Sequence, residues 1–413
     1  MRTVKFLFCF IFLFQPFLLW AQPSLSEEDR TLLEKIERDS IQYFIRYSDH
    51  KTGLTRDSSQ PGAPASIAAT GFSLASLAIA QSRGWIPRDQ AYEKIHHTLK
   101  TLKQQAEQEK GFFYHFLDAQ TGRRVWRSEA SSIDTALLLA GALLAAQYFE
   151  GTDLPGLAED LYRRVNWKWM MNGTSLMCHG WKPESNFLPH YWDSYNELMI
   201  LQALAIGAPQ NAAPPETWQA WDRLEDEYNG KRIIYSSSGS LFTYQYAHAF
   251  IDFRGLSDRG INYFENSKKA SIANWEYSLS FREQYQSYSE SSWGLSASLG
   301  PGGYRAYGGK PGAGVHDGTI SPSATISSLV FTPELSLPAI KFFYQEYQEN
   351  LYGTYGFKDA FNRDKKWWAN GYLGIDQGIT VLMLENFLTD GSLWEKFMKL
   401  PAIQKWIELS GLK

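Results

Sequence analysis

The sequence predicts an all-α chain built as an (α/α)6 toroid, six inner helices sheathed by six outer ones, with little β structure. Three observations carry that reading. Apolar and amphipathic helical segments alternate along the chain, the apolar segments lack a polar face, and no Pro/Ser/Gly-rich spacer or charge block separates them. A helix apolar on nearly all sides has to be buried, whereas one of mixed charge keeps a face in water. Two concentric helical layers meet both demands.

Taken in order, mixed-charge segments place outer helices at 27–47, 88–105, 157–171, 216–228, 259–284 and 393–409. Apolar segments place inner helices at 66–81, 133–149, 193–207, 243–253, 323–344 (interrupted by Pro333 and Pro338) and 376–388. Short hairpins are expected at 111–116 with 124–126, and around 233–241. In such a ring the inner helices run parallel, so their N-termini gather at one rim. That rim carries partial positive charge and free N–H groups, and it tolerates carboxylates.

The first residues read as a removable leader. Arg2 and Lys5 precede an apolar run from Phe6 to Trp20, and Ala21 offers a small residue for cleavage, although Leu19 is larger than a signal peptidase prefers. The expectation is a signal peptide over 1–21, one catalytic domain over 22–413, and export to the periplasm or beyond without a membrane anchor. Removing the leader leaves Cys178 as the only cysteine, so no intramolecular disulfide forms. The 40 basic residues nearly balance the 44 acidic ones, which argues against a nucleic-acid surface. A monomer acting on an oligo- or polysaccharide fits this balance.

Most of the apolar helices open with an acid. Glu197 lies in Trp192-Asp193-Ser194-Tyr195-Asn196-Glu197, ahead of Leu198 to Ile206. Asp134 follows Ser131-Ser132-Ile133, either serine being able to cap that helix, and Asp376 sits between Gly374 and Gly378. An acid at the start of a buried helix is costly unless something uses it. Desolvation raises its pKa, which a general acid needs at neutral pH. Glu197, Asp376 and Asp134 are therefore the candidate catalytic groups, whereas Asp193 reads as a cap and Glu385-Asn386 as a structural pair. Asp57, Arg56, Glu129, Trp192, Tyr195, Gln245, Trp293 and Asp317 are the candidate substrate-binding residues. Trp293, Tyr304 and Tyr307 fall among nine glycines between 294 and 318, a composition suited to sugar-stacking loops.

Other chemistries lack their signatures. There is no HExxH, no zinc-spaced cysteine pair, no EF-hand loop, no phosphate-binding or dinucleotide fingerprint, and no GxSxG elbow. The expectation is no metal and no cofactor. A non-catalytic glycan-binding protein would not need buried carboxylates. A polysaccharide lyase could use Tyr244, His248 and Arg254, but it would want a basic cleft.

The segments TGLTRDSS (52–59), SIAATGFSLASLAIA (66–80), SSIDTALLLAG (131–141) and WDSYNELMIL (192–201) resemble a known family. So do GSLFTYQYAHAFIDFRG (239–255), NYFENSKKA (262–270), WGLSAS (293–298), DGTISPSA (317–324), YGFKDAFN (355–362) and GIDQGITVLMLEN (374–386). The family is the glucoamylase-like one whose characterised members are β-1,2-glucanases, glycoside hydrolase family 144. That resemblance implies an (α/α)6 toroid, export, and cofactor-free hydrolysis of a β-glucan with inversion. Glu197 is then the acid and Asp376 or Asp134 the base, with the two carboxyls roughly 6.5–9.5 Å apart. One departure stands out: Leu299 precedes Gly300-Pro301 where the family pattern leads one to expect a polar residue.

Overall fold

The computed structural model describes residues 25–310, 312 and 314–413; the expected leader at 1–21 lies outside them. Helices are the main regular structure and strands are few. In chain order the helices are α1 (Glu27–Tyr47), α2 (Ile67–Ser82), α3 (Arg88–Gln104), α4 (Ser132–Gln147), α5 (Leu154–Arg164), α6 (Trp167–Met170) and α7 (Leu198–Gly207). They continue with α8 (Thr217–Ala220), α9 (Tyr263–Ser280), α10 (Pro322–Ser327), α11 (Pro333–Leu351), α12 (Gly374–Leu388), α13 (Ser392–Met398) and α14 (Pro401–Ser410). No helix among the described residues is long and apolar enough to cross a membrane.

The apolar helices are the buried ones. In α2 every residue from Ile67 to Ala80 is buried, and Ser66 caps the helix by accepting from the Ala69 N–H. Ser131 does the same for α4 through the Asp134 N–H, which leaves the Asp134 carboxylate free. At the crossing of α2 and α4, a Cβ on Gly141 would lie 1.9 Å from the Gly71 carbonyl oxygen, so only glycine permits that approach. Buried elements touch in sequence: α2 against α4, α4 against α7, α7 against the turn Ala247–Ala249, that turn against α12, and α12 against α2. The core runs without a break from Leu33 to Leu412.

Several boundaries differ from the sequence reading. The segment 243–253 is not one helix but two 3-10 turns, Leu241–Tyr244 and Ala247–Ala249. The segment 216–228 holds only the one-turn α8 and then a hairpin, Glu225–Tyr228 against Lys231–Ile234, turned by Asn229 and Gly230 at φ 47 and 73. Both residues tolerate that left-handed geometry, which matches the twist of a tight hairpin. The outer position beside α7 is filled instead by α14, whose Ala402 carbonyl lies against Gly207. The segment 323–344 splits at Pro333 into the buried α10 and the half-exposed α11. The helix expected from 193 begins only at Leu198, so Glu197 is its boundary residue rather than one turn inside. The remaining strands are short ribbons, among them Ala130–Ser131 paired with Gly180–Lys182 and Phe116–Leu117 paired with Ala65–Ser66. They lead directly into α2 and α4.

Candidate active site

The starts of the buried helices supply the acids. Asp134 lies in the first turn of α4, Asp376 in the first turn of α12, and Glu197 at the boundary of α7. Loops entering the same helix starts add Asp57, His115, Glu129 and Asp359.

Glu197 is reachable by solvent yet closely surrounded by protein, and the loss of water around its carboxyl raises its pKa to about 7, with the Asp134 charge adding to the rise. Asp57 is pushed up to about 6 by burial; His115 opposes the shift, while Asp134 and Asp359 add to it. Asp359 and Asp376 face each other. Burial raises both, and the charge of Asp359 raises Asp376 further. One oxygen of Asp359 accepts the Leu299 N–H at 2.6 Å, and Ser323 donates to Asp376. The remaining oxygens, Asp359 Oδ1 and Asp376 Oδ2, are buried without a donor. Two carboxyls so placed are satisfied by one shared proton, and they titrate as a unit. The Leu299 N–H favours charge on Asp359, so the proton rests on Asp376. The departure at Leu299 thus leaves a backbone donor in place.

His115 Nδ1 lies 3.0 Å from Glu129 Oε1 and 3.5 Å from Asp134 Oδ2. Burial works against the imidazolium, but the charges of Asp134, Glu129 and Asp57 hold its pKa at about 9. Burial would raise Glu129, yet the His115 hydrogen bond and charge bring it down to about 2. Ligand atoms of His115, Glu129 and Asp134 all lie within 4.8 Å of one another, so the trio could also hold a cation. Protonated, His115 has no lone pair to offer one; chelation separates the two states. Two tyrosines join the walls. Tyr246 interacts with Asp376, Glu197 and Asp134, and Tyr304, 54% exposed, with Asp376, Asp359, Asp57 and Glu197. These couplings place the carboxyls in one cleft.

The sequence-derived candidates divide. Glu197, Asp376, Asp134, Asp57 and Glu129 come together in the cleft, as the couplings above show. Arg56 stands beside it, donating to the Ala63 carbonyl at 3.3 Å. Asp317 accepts the Thr319 N–H at 3.1 Å and the Thr319 hydroxyl at 2.6 Å, a turn-closing role. Trp192 is nearly buried; its Nε1 donates to Ser132 and its ring stacks at 4.0 Å on His179, so it positions that imidazole rather than meeting a sugar.

Three further placements are overturned. Trp293 is 0% exposed, with its Nε1 donating to the Leu335 carbonyl of α11. Gly294, at φ 122, turns the chain there and leaves no space for a Cβ beside Thr325. Tyr195 is packed among Tyr244, Tyr263 and Trp221. Gln245 is buried and donates to the Ala324 carbonyl and the Ser328 hydroxyl, fastening the 3-10 turns to α10. Of the glycine-rich loop's aromatics only Tyr304 opens outward; Tyr307 is buried. The lyase candidates fare no better: Tyr244 and His248 are core residues, and Arg254 pairs with Asp252 and Asp390.

Sequence reasoning missed Asp359, His115 and Tyr246 as members of the site. Asp359 lay within YGFKDAFN, one of the segments carrying the family resemblance, but on a loop without a helix start to single it out.

Comparison with known proteins agrees with this picture. The family model described as “Putative glucoamylase” matches residues 189–401. An exo β-1,2-glucooligosaccharide sophorohydrolase (non-reducing end) from Parabacteroides distasonis is 28% identical; the match covers 92% of this chain but 58% of that protein's length. A solved structure from Bacteroides uniformis bearing the same glucoamylase description superposes with TM-score 0.89 at 30% identity, covering 95% of this chain and 99% of that one. The endo-β-1,2-glucanase of Chitinophaga pinensis, solved with sophorotriose and glucose, superposes with TM-score 0.88 at 27% identity, covering 93% and 98%.

Proposed function

Because the chain belongs to the Putative glucoamylase family, we propose that it is an exported glycoside hydrolase that cleaves β-1,2-glucan with inversion of configuration. The leader at 1–21 and a single catalytic domain over 22–413 are part of that reading, as are periplasmic or secreted location and a monomeric state. The closed cycle of contacts through five buried elements, with α10 packed against α12 as the sixth, supports an (α/α)6 toroid, with the cleft at the rim where α4, α7 and α12 begin.

The observation that carries the proposal is a set of carboxyls whose protonation the protein has pushed apart. Glu197, with its pKa near 7, keeps a proton to give to the glycosidic oxygen as the C–O bond breaks. The Asp359–Asp376 pair holds one proton and one negative charge. As a unit it accepts the proton of the water that attacks the anomeric carbon from the opposite face. Asp134 is the second candidate base, because its charge reaches Glu197 and the His115 imidazolium lies beside it. Tyr304 gives the cleft an exposed ring face and a hydroxyl suited to glucose, while Tyr246 lies buried behind the carboxyls.

Incubating the full chain with linear β-1,2-glucan and with β-1,3-, β-1,4-, β-1,6- and α-1,4-glucans, then separating the products, tests the substrate. Release of β-1,2-linked oligosaccharides from the first alone is expected, whether sophorose from an end or a ladder from internal cuts. Cleavage of α-1,4-glucan in preference would overturn the linkage. Unsaturated, ultraviolet-absorbing products would point to elimination instead.

A further inference from the structure

Resting on the reading of the cleft as a glucan hydrolase, we propose that Trp126 is the stacking platform of an outer sugar subsite. It would hold a glucose ring of the β-glucan chain beyond the residues on which Glu197 acts. Trp126 is 69% exposed, more than any other large hydrophobic side chain among the described residues. A lone exposed ring is ordinary on a protein surface. This one is not there by default, because the backbone is strained to present it. Trp126 and Arg127 are consecutive non-glycine residues at φ 56 and 51, a left-handed conformation costly for each of them.

The surrounding contacts hold that geometry. The Ser128 hydroxyl donates to the Phe116 carbonyl at 3.1 Å, Arg124 Nε donates to the Ser128 carbonyl at 2.5 Å, and the Arg124 guanidinium forks onto Glu184 at 2.7 and 2.9 Å. The loop is therefore pinned at both sides while the indole stands in water. Pre-ordering of this kind reduces what binding must spend on immobilising a side chain.

The ring is also continuous with the cleft. Trp126 lies 5.1 Å from Phe116, and Phe116 stacks on His115 at 4.0 Å and 15°. His115 in turn carries Glu129 and Asp134. The aromatic row thus leads from solvent to the catalytic carboxyls. A pyranose offers an apolar C–H face to an indole and hydroxyls at its edge. Arg127, 77% exposed and 3.6 Å from Glu184, supplies charged hydrogen-bonding groups at that edge. The occupant with both features, on a path into a glucan cleft, is a further residue of the same chain.

The test uses the full chain and two substrates, long linear β-1,2-glucan and the shortest β-1,2-gluco-oligosaccharide that it cleaves. The readout is the ratio of kcat/KM on the long substrate to that on the short one, which cancels any loss of folded enzyme. Trp126→Ala should lower this ratio about tenfold, equivalent to about 1.4 kcal/mol, and Trp126→Tyr should restore most of it. A ratio within twofold of wild type in Trp126→Ala, with cleavage of β-1,2-glucan intact, overturns the subsite and leaves the proposed function standing. A wild-type chain that cleaves and binds no β-1,2-glucan overturns the function, and the subsite with it.

Discussion

Glu197→Gln separates the catalytic and structural consequences of one carboxyl. The amide keeps the shape of the side chain but has no proton to donate. Loss of general-acid help costs about 10²–10⁴-fold in rate, so kcat should fall by at least a hundredfold while glucan binding persists. Stability should move the other way. The folded chain holds the Glu197 proton up to about pH 7 against an ordinary value of 4.5. Wild-type stability therefore falls as pH rises between those values and is flat above, because only the unfolded chain has released the proton in that window. At about 1.4 kcal/mol per pH unit the full difference is about 3 kcal/mol, and solvent reaching Glu197 through the cleft reduces it to about 2. For roughly 390 residues, an unfolding entropy of about 2.1 cal/mol/K per residue converts this to about 2 °C in Tm. The variant should thus melt about 2 °C above wild type at pH 8 and at the same temperature near pH 4, by differential scanning calorimetry. A kcat above about a tenth of wild type, or a Tm difference that does not change with pH, would refute the assignment.

The other expectations follow from the same geometry. Asp376→Asn and Asp359→Asn should each lower kcat by about a hundredfold or more, whereas a larger loss in Asp134→Asn would move the base to Asp134. Trp293→Ala should destabilise the protein by about 3–5 kcal/mol, with activity per folded molecule kept; selective loss of substrate affinity would contradict its burial. The His115 pair stabilises the fold while His115 is charged and Glu129 ionised. Its contribution is full between about pH 4.5 and 6.5, fades as pH rises through about 9, and fades as pH falls toward 2. His115→Ala should consequently cost more Tm at pH 6 than at pH 10. Activity should survive exhaustive chelation; loss on EDTA, restored by calcium or zinc, would make His115, Glu129 and Asp134 a cation site.

The buried helices with serine caps were legible because composition alone identified them: nothing but burial accommodates 67–80 or 133–146. The first-turn acids of α4 and α12 followed from the cost of burying charge, and Asp134 and Asp376 lie where that argument puts them. The segment 243–253 was not legible, since residues buried on every side carry no periodicity to distinguish a helix from successive 3-10 turns. The hairpin at 225–234 had a usable signal in Asn229-Gly230, which reading 216–228 as a mixed-charge outer helix passed over. Trp293 and Tyr195 show the limit for aromatics. A ring in a glycine-rich or polar segment looks exposed, but whether it turns inward depends on partners far along the chain, here Leu335 for one and Ser267 with Tyr263 for the other. Asp359 was missed for the same reason: its partner Asp376 is brought to it by the fold, not by spacing.

The most direct test of the account is the anomeric configuration of the first product. Time-resolved proton NMR on a β-1,2-gluco-oligosaccharide, followed faster than mutarotation, should show the α-anomer of the released sugar first. Water acting from the face opposite Glu197, activated by the aspartate pair, demands that result. The β-anomer appearing first would mean a covalent intermediate and a nucleophile close to the scissile bond, and would contradict the roles given to Glu197, Asp359 and Asp376.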